Sequence, residues 1–304
     1  MSIARSLAIV PRAAIVMVLV SANLAHGQTE QQFADCAGGN ETPPAVRVEA
    51  CSALIASQTL NPTNLAAAYD NRGNAYAAEH NLAQAIADYD QAVTFNPDDV
   101  TAFANAGLAY AGEGKYDDAI ARYGRAIALK PRDAMLYDSR GLVYAAKGQY
   151  DRAISDYDAA LNLAPAAQIF YDRGNAYAGK QQYDRAIADY DAALKLDPNL
   201  AVALNNRGLA QAAEGHQDSA IADYNAALKL DPNSAFTFNN RGLAETDQAH
   251  YDSAIADYNR AIALDPNYAA AYYNRGLARQ RNGDEKGGAA DIAKAKQLNP
   301  AIGP

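Results

Sequence analysis

Three histidines beyond residue 27, two cysteines and a recurring set of closely spaced aspartates are the residues of this chain whose types could do chemistry. Imidazoles and carboxylates can move protons or hold a metal ion, and a cysteine pair can cycle between thiol and disulfide. Their spacing speaks against a shared centre. His216 and His250 stand 34 residues apart and His80 is farther away, so the three fall in different parts of the chain. The pairs Asp88/Asp90, Asp156/Asp158 and Asp189/Asp191 look like acid dyads, but two steps along a helix point side chains in different directions. Nucleophile-elbow, phosphate-loop and His-x-x-x-His motifs are all missing from the sequence. Catalysis needs unlike groups that converge, and here like groups recur at intervals. No catalytic residue, metal site or cofactor is therefore expected.

The elements that carry these residues repeat. Tyr183 to Pro198 reads YDRAIADYDAALKLDP, and its apolar residues Tyr183, Ala186, Ile187, Tyr190, Ala193 and Leu194 step by three and four, as on one face of a helix. Close copies end at Pro131, Pro165, Pro232 and Pro266, with looser ones at Pro97 and Pro300. Aligned on glycine, the units fall at Gly73, Gly107, Gly141, Gly174, Gly208, Gly242 and Gly276. An aromatic residue precedes the glycine by four in every unit except the fifth, which has Leu204. Alanines follow at fixed distances, as in Ala85 and Ala92 of the first unit, and a proline closes each unit. Glycine within a helix costs about 1 kcal/mol relative to alanine, so seven of them require a close approach, expected at the facing alanine.

This pattern resembles the tetratricopeptide repeat family, whose helix-turn-helix unit carries a large apolar residue, Gly, Tyr, Ala, an aromatic, Ala and Pro at this period. The resemblance covers Ala66 to Pro300. It implies an all-α, right-handed α-solenoid of antiparallel helix pairs, a superhelix whose first helices line an inner groove. It also implies a non-enzymatic scaffold that binds a partner peptide or helix in that groove. Counting three residues before and one after each glycine, the lining would comprise Asp70, Asn74, Leu108, Asp138, Leu142, Tyr171, Asn175, Asn205, Leu209, Asn239, Leu243, Tyr273 and Leu277, with Ala104. Asn71, Asn105, Asn206, Asn240 and Asn274, two before the glycine, would reach the rim. Leucine offers apolar contact and asparagine can pair with a peptide backbone; the leucines could equally pack between repeats. The lysines with which some family members grip a terminal carboxylate are missing, since Asp70, Ala104 and Asp138 stand at those positions.

One departure from the family has its own logic. The residue before the glycine is Arg72, Arg140, Arg173, Arg207, Arg241 or Arg275, and sixteen residues on stands Asp88, Asp156, Asp189, Asp223, Asp257 or Asp291. The second unit has Ala106 and Arg122 instead, losing both together. An Arg-Asp bridge between the two helices of each unit but the second is expected. The seventh unit looks worn, with Gly287-Gly288 in its alanine region and Ile292 for the aromatic. The polar Lys294, Lys296 and Gln297 suit a terminal repeat facing water.

Residues 1–27 carry Arg5 and Arg12, an apolar run from Ala13 to Val20 and a small-residue exit at Ala25-His26-Gly27, the pattern of a secretory signal peptide. Residues 28–65 then form an N-terminal segment with a capping helix at Ala45–Ala56. Cys36 and Cys51 in an exported chain read as a disulfide pinning that segment, worth about 3 kcal/mol by loop closure. A redox pair or metal site is weaker, because there is no Cys-x-x-Cys and no histidine nearby. Residues 301–304 are a short tail. The expected location is periplasmic or secreted, with no membrane association once the leader is removed. The net charge of −9 disfavours nucleic acid and anionic headgroups as ligands. Two other readings stay open. One is a carbohydrate or cell-wall fragment binder built on Tyr171, Tyr273 and the asparagines; the other is a self-assembling structural module.

Overall fold

The structure is a computed structural model that describes residues 30–38 and 42–303. The expected signal segment at 1–27 lies outside the described residues. Sixteen α-helices and no strand occur among the described residues. They fall into two compact units, one ending at Ala164 and the other beginning at Pro165.

The first unit opens with α1 (Glu30–Ala37) and α2 (Pro44–Ala56). Three helix pairs follow: α3 (Pro62–Ala78) with α4 (Leu82–Phe95), α5 (Val100–Gly112) with α6 (Tyr116–Leu129), and α7 (Ala134–Ala146) with α8 (Tyr150–Leu163). The second unit has four pairs: α9 (Ala167–Gly179) with α10 (Tyr183–Leu196), α11 (Ala201–Ala213) with α12 (Gln217–Leu230), α13 (Ala235–Asp247) with α14 (Tyr251–Leu264), and α15 (Ala269–Arg281) with α16 (Glu285–Leu298). Each pair is one of the seven units expected from the sequence, and each unit of the fold is an α-solenoid of such pairs.

Local chemistry sets the helix ends. Asn61, Asp99 and Ser234 accept a backbone N–H in the first turn of α3, α5 and α13. Every turn inside a pair needs one residue of positive φ: Gly114, Gly148, Gly215 and Gly283 supply it freely, whereas His80, Gln181 and Ala249 adopt it at φ near 60°. The segment expected at 28–65 holds a short helix, α1, ahead of the expected capping helix, which is α2. The Cys36–Cys51 disulfide joins α1 to α2 with Cα atoms 4.7 Å apart, and both cysteines are buried with Leu54 and Ala68.

The close approach at the glycines differs from the expectation. A Cβ on Gly73, Gly141, Gly208 or Gly242 would come within 2.7–2.8 Å of a tyrosine ring carbon sixteen residues later, at Tyr89, Tyr157, Tyr224 or Tyr258. The partner is therefore the ring, and the alanine packs beside it with no exposure, as at Ala186 and Ala220. In the seventh pair Ile292 takes the place of the ring, and a Cβ on Gly276 would lie 2.9 Å from the Gly288 carbonyl. Gly288 marks a closer backbone crossing of α15 on α16, not a worn alanine position.

The Arg-Asp bridges are present and bidentate. Arg72 donates Nε and Nη2 to Asp88 at 2.7 Å each, and Arg207 donates the same pair to Asp223 at 2.7 and 2.6 Å. Arg140, Arg173, Arg241 and Arg275 repeat the geometry on Asp156, Asp189, Asp257 and Asp291. The third nitrogen often reaches the preceding pair. Nη1 of Arg207 meets Asp191 at 2.5 Å, that of Arg241 meets Asn225 at 2.5 Å, and that of Arg275 meets Asn259 at 2.6 Å. Many of these guanidinium groups also lie over aromatic rings, as Arg140 does on Tyr137 and Tyr144. In the second pair, Arg122 instead binds Asp90 of α4 at 2.9 Å, and the Tyr110 hydroxyl donates to the same carboxylate.

Candidate functional site

Within each unit the first helices of successive pairs touch, α3 on α5 and α5 on α7, then α9 on α11, α11 on α13 and α13 on α15. The second helices of successive pairs do not. Each unit therefore curves with its first helices on the inner side, and residues three before and one after the glycine share one face of those helices.

The histidines do not converge. His80 occupies a positive-φ turn, His216 and His250 sit at the N-termini of α12 and α14, and the His250 ring nitrogen Nδ1 is 2.9 Å from Glu245. Among the described residues no three metal-capable side chains come together.

The asparagines do form a constellation, but they point at one another. Asn240 donates Nδ2 to Asn205 Oδ1 at 3.0 Å, and Asn274 donates to Asn239 at 2.9 Å. Asn206 donates to the Tyr171 hydroxyl at 3.0 Å and to Asn175 at 2.9 Å. In the first unit Asn105 donates to Asn74 at 3.0 Å and to Asp70 at 3.4 Å. Each rung runs from the residue two before one glycine to the residue three before the previous glycine, and Asn105 and Asn206 also reach the residue one after it, Asn74 and Asn175. The Tyr89 and Tyr190 hydroxyls complete the network by donating to Asn74 and Asn175.

Three expected contact residues are corrected by this arrangement. Tyr171, Asn105 and Asn239 are only 5%, 7% and 4% exposed. The Tyr171 ring packs against Tyr190 with centroids 5.9 Å apart, inside the core of α9 to α11. Their role is cohesion between repeats. Asn71, Asn74, Asn175, Asn205, Asn206, Asn240 and Asn274 are half-buried, as are Asp138, Tyr273, Leu108, Leu142, Leu209 and Leu277, while Leu243 is exposed. Leu209 packs beside Tyr224 and Ala244, between repeats.

Asp70 is the ionisable member of these rungs. Burial, with the Asp99 charge adding to it, pushes its carboxyl up to about 7, against the pull of the Asn105 and Asn74 amides. The phenols beneath the face are raised chiefly by burial, Tyr89 and Tyr190 among them.

Exposed apolar residues were missed at a third position of the inner helices. Met135, Val202 and Phe236 are 61%, 43% and 65% exposed, each three residues before an expected lining residue. Continuing the same three-residue step one turn back along each helix would have found them.

Comparison with known proteins agrees with this geometry. A TPR repeat family model matches residues 73–114, 111–148, 174–215 and 242–283, more than half of the chain. Two tetratricopeptide repeat models match 201–234 and 134–167. A search of curated proteins returns no match. Among solved structures, YrrB, described as a TPR protein with an unusual peptide-binding site, is 25% identical over 60% of this chain and 95% of its own, with a TM-score of 0.51. A tetratricopeptide repeat protein from Parabacteroides merdae is 20% identical over 76% of this chain and 92% of its own, at 0.63. The APC/C hetero-tetramer Cut9-Hcn1 is 16% identical over 85% of this chain and 50% of the matched chain, at 0.62. The last two are likenesses of fold. Seven glycine-centred helix pairs and a family match over more than half its length make this chain a member of the tetratricopeptide repeat family.

Proposed function

We propose that the protein is a non-enzymatic scaffold of the periplasm or another exported compartment, binding a peptide or helix of a partner protein along the inner face of its first helices. The observation that carries this reading is the contact pattern: the first helices of each unit touch their successors and form one continuous face. On that face Leu243, Tyr273 and Leu277 offer apolar contact beside rungs that fix the helices against one another. Several such contacts on a pre-organised surface supply affinity without one indispensable residue. The description of YrrB as a peptide-binding TPR protein supports the same class of ligand. Export is supported by the leader-like composition of residues 1–27 and by the buried Cys36–Cys51 disulfide, a bond that persists in oxidising compartments. Dispersal of the histidines supports a non-catalytic role.

The carbohydrate reading is weakened, because Tyr171 is buried and the asparagine amides are spent on one another. The test is affinity capture from an envelope extract with wild-type protein and with Leu243→Asp combined with Tyr273→Ala. The double variant, shown to be folded by circular dichroism, is expected to lose the captured partner. Unchanged capture would move the binding surface off the inner face.

A further inference from the structure

One nitrogen of the Arg-Asp clamp is treated differently along the chain. Arg72 Nη1 donates to Ser52 of α2 at 3.0 Å, and in the second unit the same nitrogen of Arg207, Arg241 and Arg275 donates to Asp191, Asn225 and Asn259 at 2.5, 2.5 and 2.6 Å. In each of these the preceding helix supplies the oxygen. The corresponding residue for Arg140 is Gly124, which has no side chain to offer, and Arg140 Nη1 meets no acceptor among the described residues. A Cβ on Gly124 would lie 3.6 Å from that nitrogen, so a short acidic side chain there would have reached it. Ala121 and Ala128, about one turn to either side on α6, are exposed and add little bulk. A notch between α6 and α7 results, with a guanidinium N–H in its wall.

The guanidinium is held in place before any ligand arrives. Its Nε and Nη2 donate to Asp156 at 2.7 Å each, and its Cζ lies 5.9 and 5.8 Å from the ring centres of Tyr137 and Tyr144. Little freedom is left to lose on binding. Charge selects the ligand. Where α4 carries Asp88 and Asp90, and α10 carries Asp189 and Asp191, α6 carries Arg122 and Gly124. Arg122 is spent on Asp90, but Arg125, next to the notch on α6, is exposed and has no partner among the described residues. The notch is therefore cationic in a chain whose net charge is −9. One donor nitrogen with the Asp156 carboxylate behind it suits a single carboxylate better than a dianionic phosphate.

We propose that the Gly124 notch binds a carboxylate brought by another protein, the side chain of an Asp or Glu, on Arg140 Nη1. The chain's own Asp191 plays that part on Arg207. Two steps separate Arg140 from Asp138 and from Leu142, about 200° around α7. The site thus faces away from the inner face, and the proposal does not depend on that face being occupied.

The experiment follows the arginine Nε and Cζ resonances of the intact protein while acetate replaces chloride at constant ionic strength, with Arg140→Lys identifying the Arg140 signal. That signal is expected to shift and saturate at a Kd on the order of tens of millimolar, as one charge-assisted hydrogen bond would give, while Arg207, already served by Asp191, stays still. Neutral acetamide should have no effect. Gly124→Asp fills the notch from within and should weaken the acetate response at least about ten-fold, and Arg125→Gln should weaken it about two-fold through lost attraction across solvent. A blocked peptide, acetyl-Ala-Glu-Ala-amide, should reproduce the shift and its Gln counterpart should not. No saturable shift, equal shifts at Arg140 and Arg207, or an undiminished response in Gly124→Asp overturns the proposal. Acetate binding without Glu-peptide binding would assign the notch to small free carboxylates, and inorganic phosphate binding tighter than acetate would assign it to phosphate; either result overturns it too.

Discussion

Tyr224 leaves no room at Gly208, where an added Cβ would sit 2.7 Å from a ring carbon. Gly124 is also in mid-helix, but the nearest atom to its Cβ would be the Arg140 Nη1 at an ordinary 3.6 Å. The two glycines should therefore respond oppositely to alanine. Gly208→Ala is expected to cost roughly 1–3 kcal/mol by overpacking, and Gly124→Ala to add about 0.5–1 kcal/mol through helix propensity. Denaturant midpoints would show it, and a shift of the same sign at both positions would contradict the packing account. Asp70 gives a second prediction at this scale. Its carboxyl titrates near 3.8 when unfolded and about 7 when folded. Between those values the folded state keeps a proton that the unfolded chain has released, so this group's contribution is full below about pH 4 and lost as pH rises through 7. The ceiling is roughly 4 kcal/mol. Asp70→Asn should flatten stability over that range, measured by urea unfolding at several pH values; parallel curves for variant and wild type would contradict the buried-carboxyl reading.

At the scale of helices, the Arg-Asp clamp was legible because both residues vanish together in the second unit, at Ala106 and Arg122. The rungs were not, although every residue in them was named. Sequence spacing places Asn205 and Asn240 at neighbouring positions of successive first helices, α11 and α13, but whether an amide meets a partner or its neighbour depends on how closely consecutive repeats pack. Position on a face likewise gave no warning that Tyr171 turns inward against Tyr190. A second set of joints lies at the opposite ends of the pairs. Lys147 donates to Asp117 at 2.5 Å, Gln248 to Asp218 at 2.5 Å and Asn282 to Asp252 at 2.9 Å, each across one repeat. Glu214 holds the corresponding position relative to Asp184, where two acids replace a donor and an acceptor. Glu214→Lys should complete the joint and stabilise the protein by about 0.3–1 kcal/mol at low salt, fading as salt is added. No gain in melting temperature at low salt would count against this register.

For the whole molecule, periodicity made the fold legible almost throughout, because one small unit fixes the pattern seven times. Function is less legible, since a repeated surface spreads affinity over many side chains and writes no motif. The N-terminal disulfide lends itself to a direct check. Cys36→Ser with Cys51→Ser should lower stability by about 3 kcal/mol if loop closure dominates, read as a shift in the denaturant midpoint; an unchanged midpoint would mean that α1 docks unaided. The central claim, that the inner helices carry the partner, is tested most directly by hydroxyl-radical footprinting of the captured complex. The account predicts protection of Leu243, Tyr273 and Leu277 when the partner is present. Protection confined to the outer helices α12, α14 and α16, with those three side chains labelled as in the free protein, would contradict it.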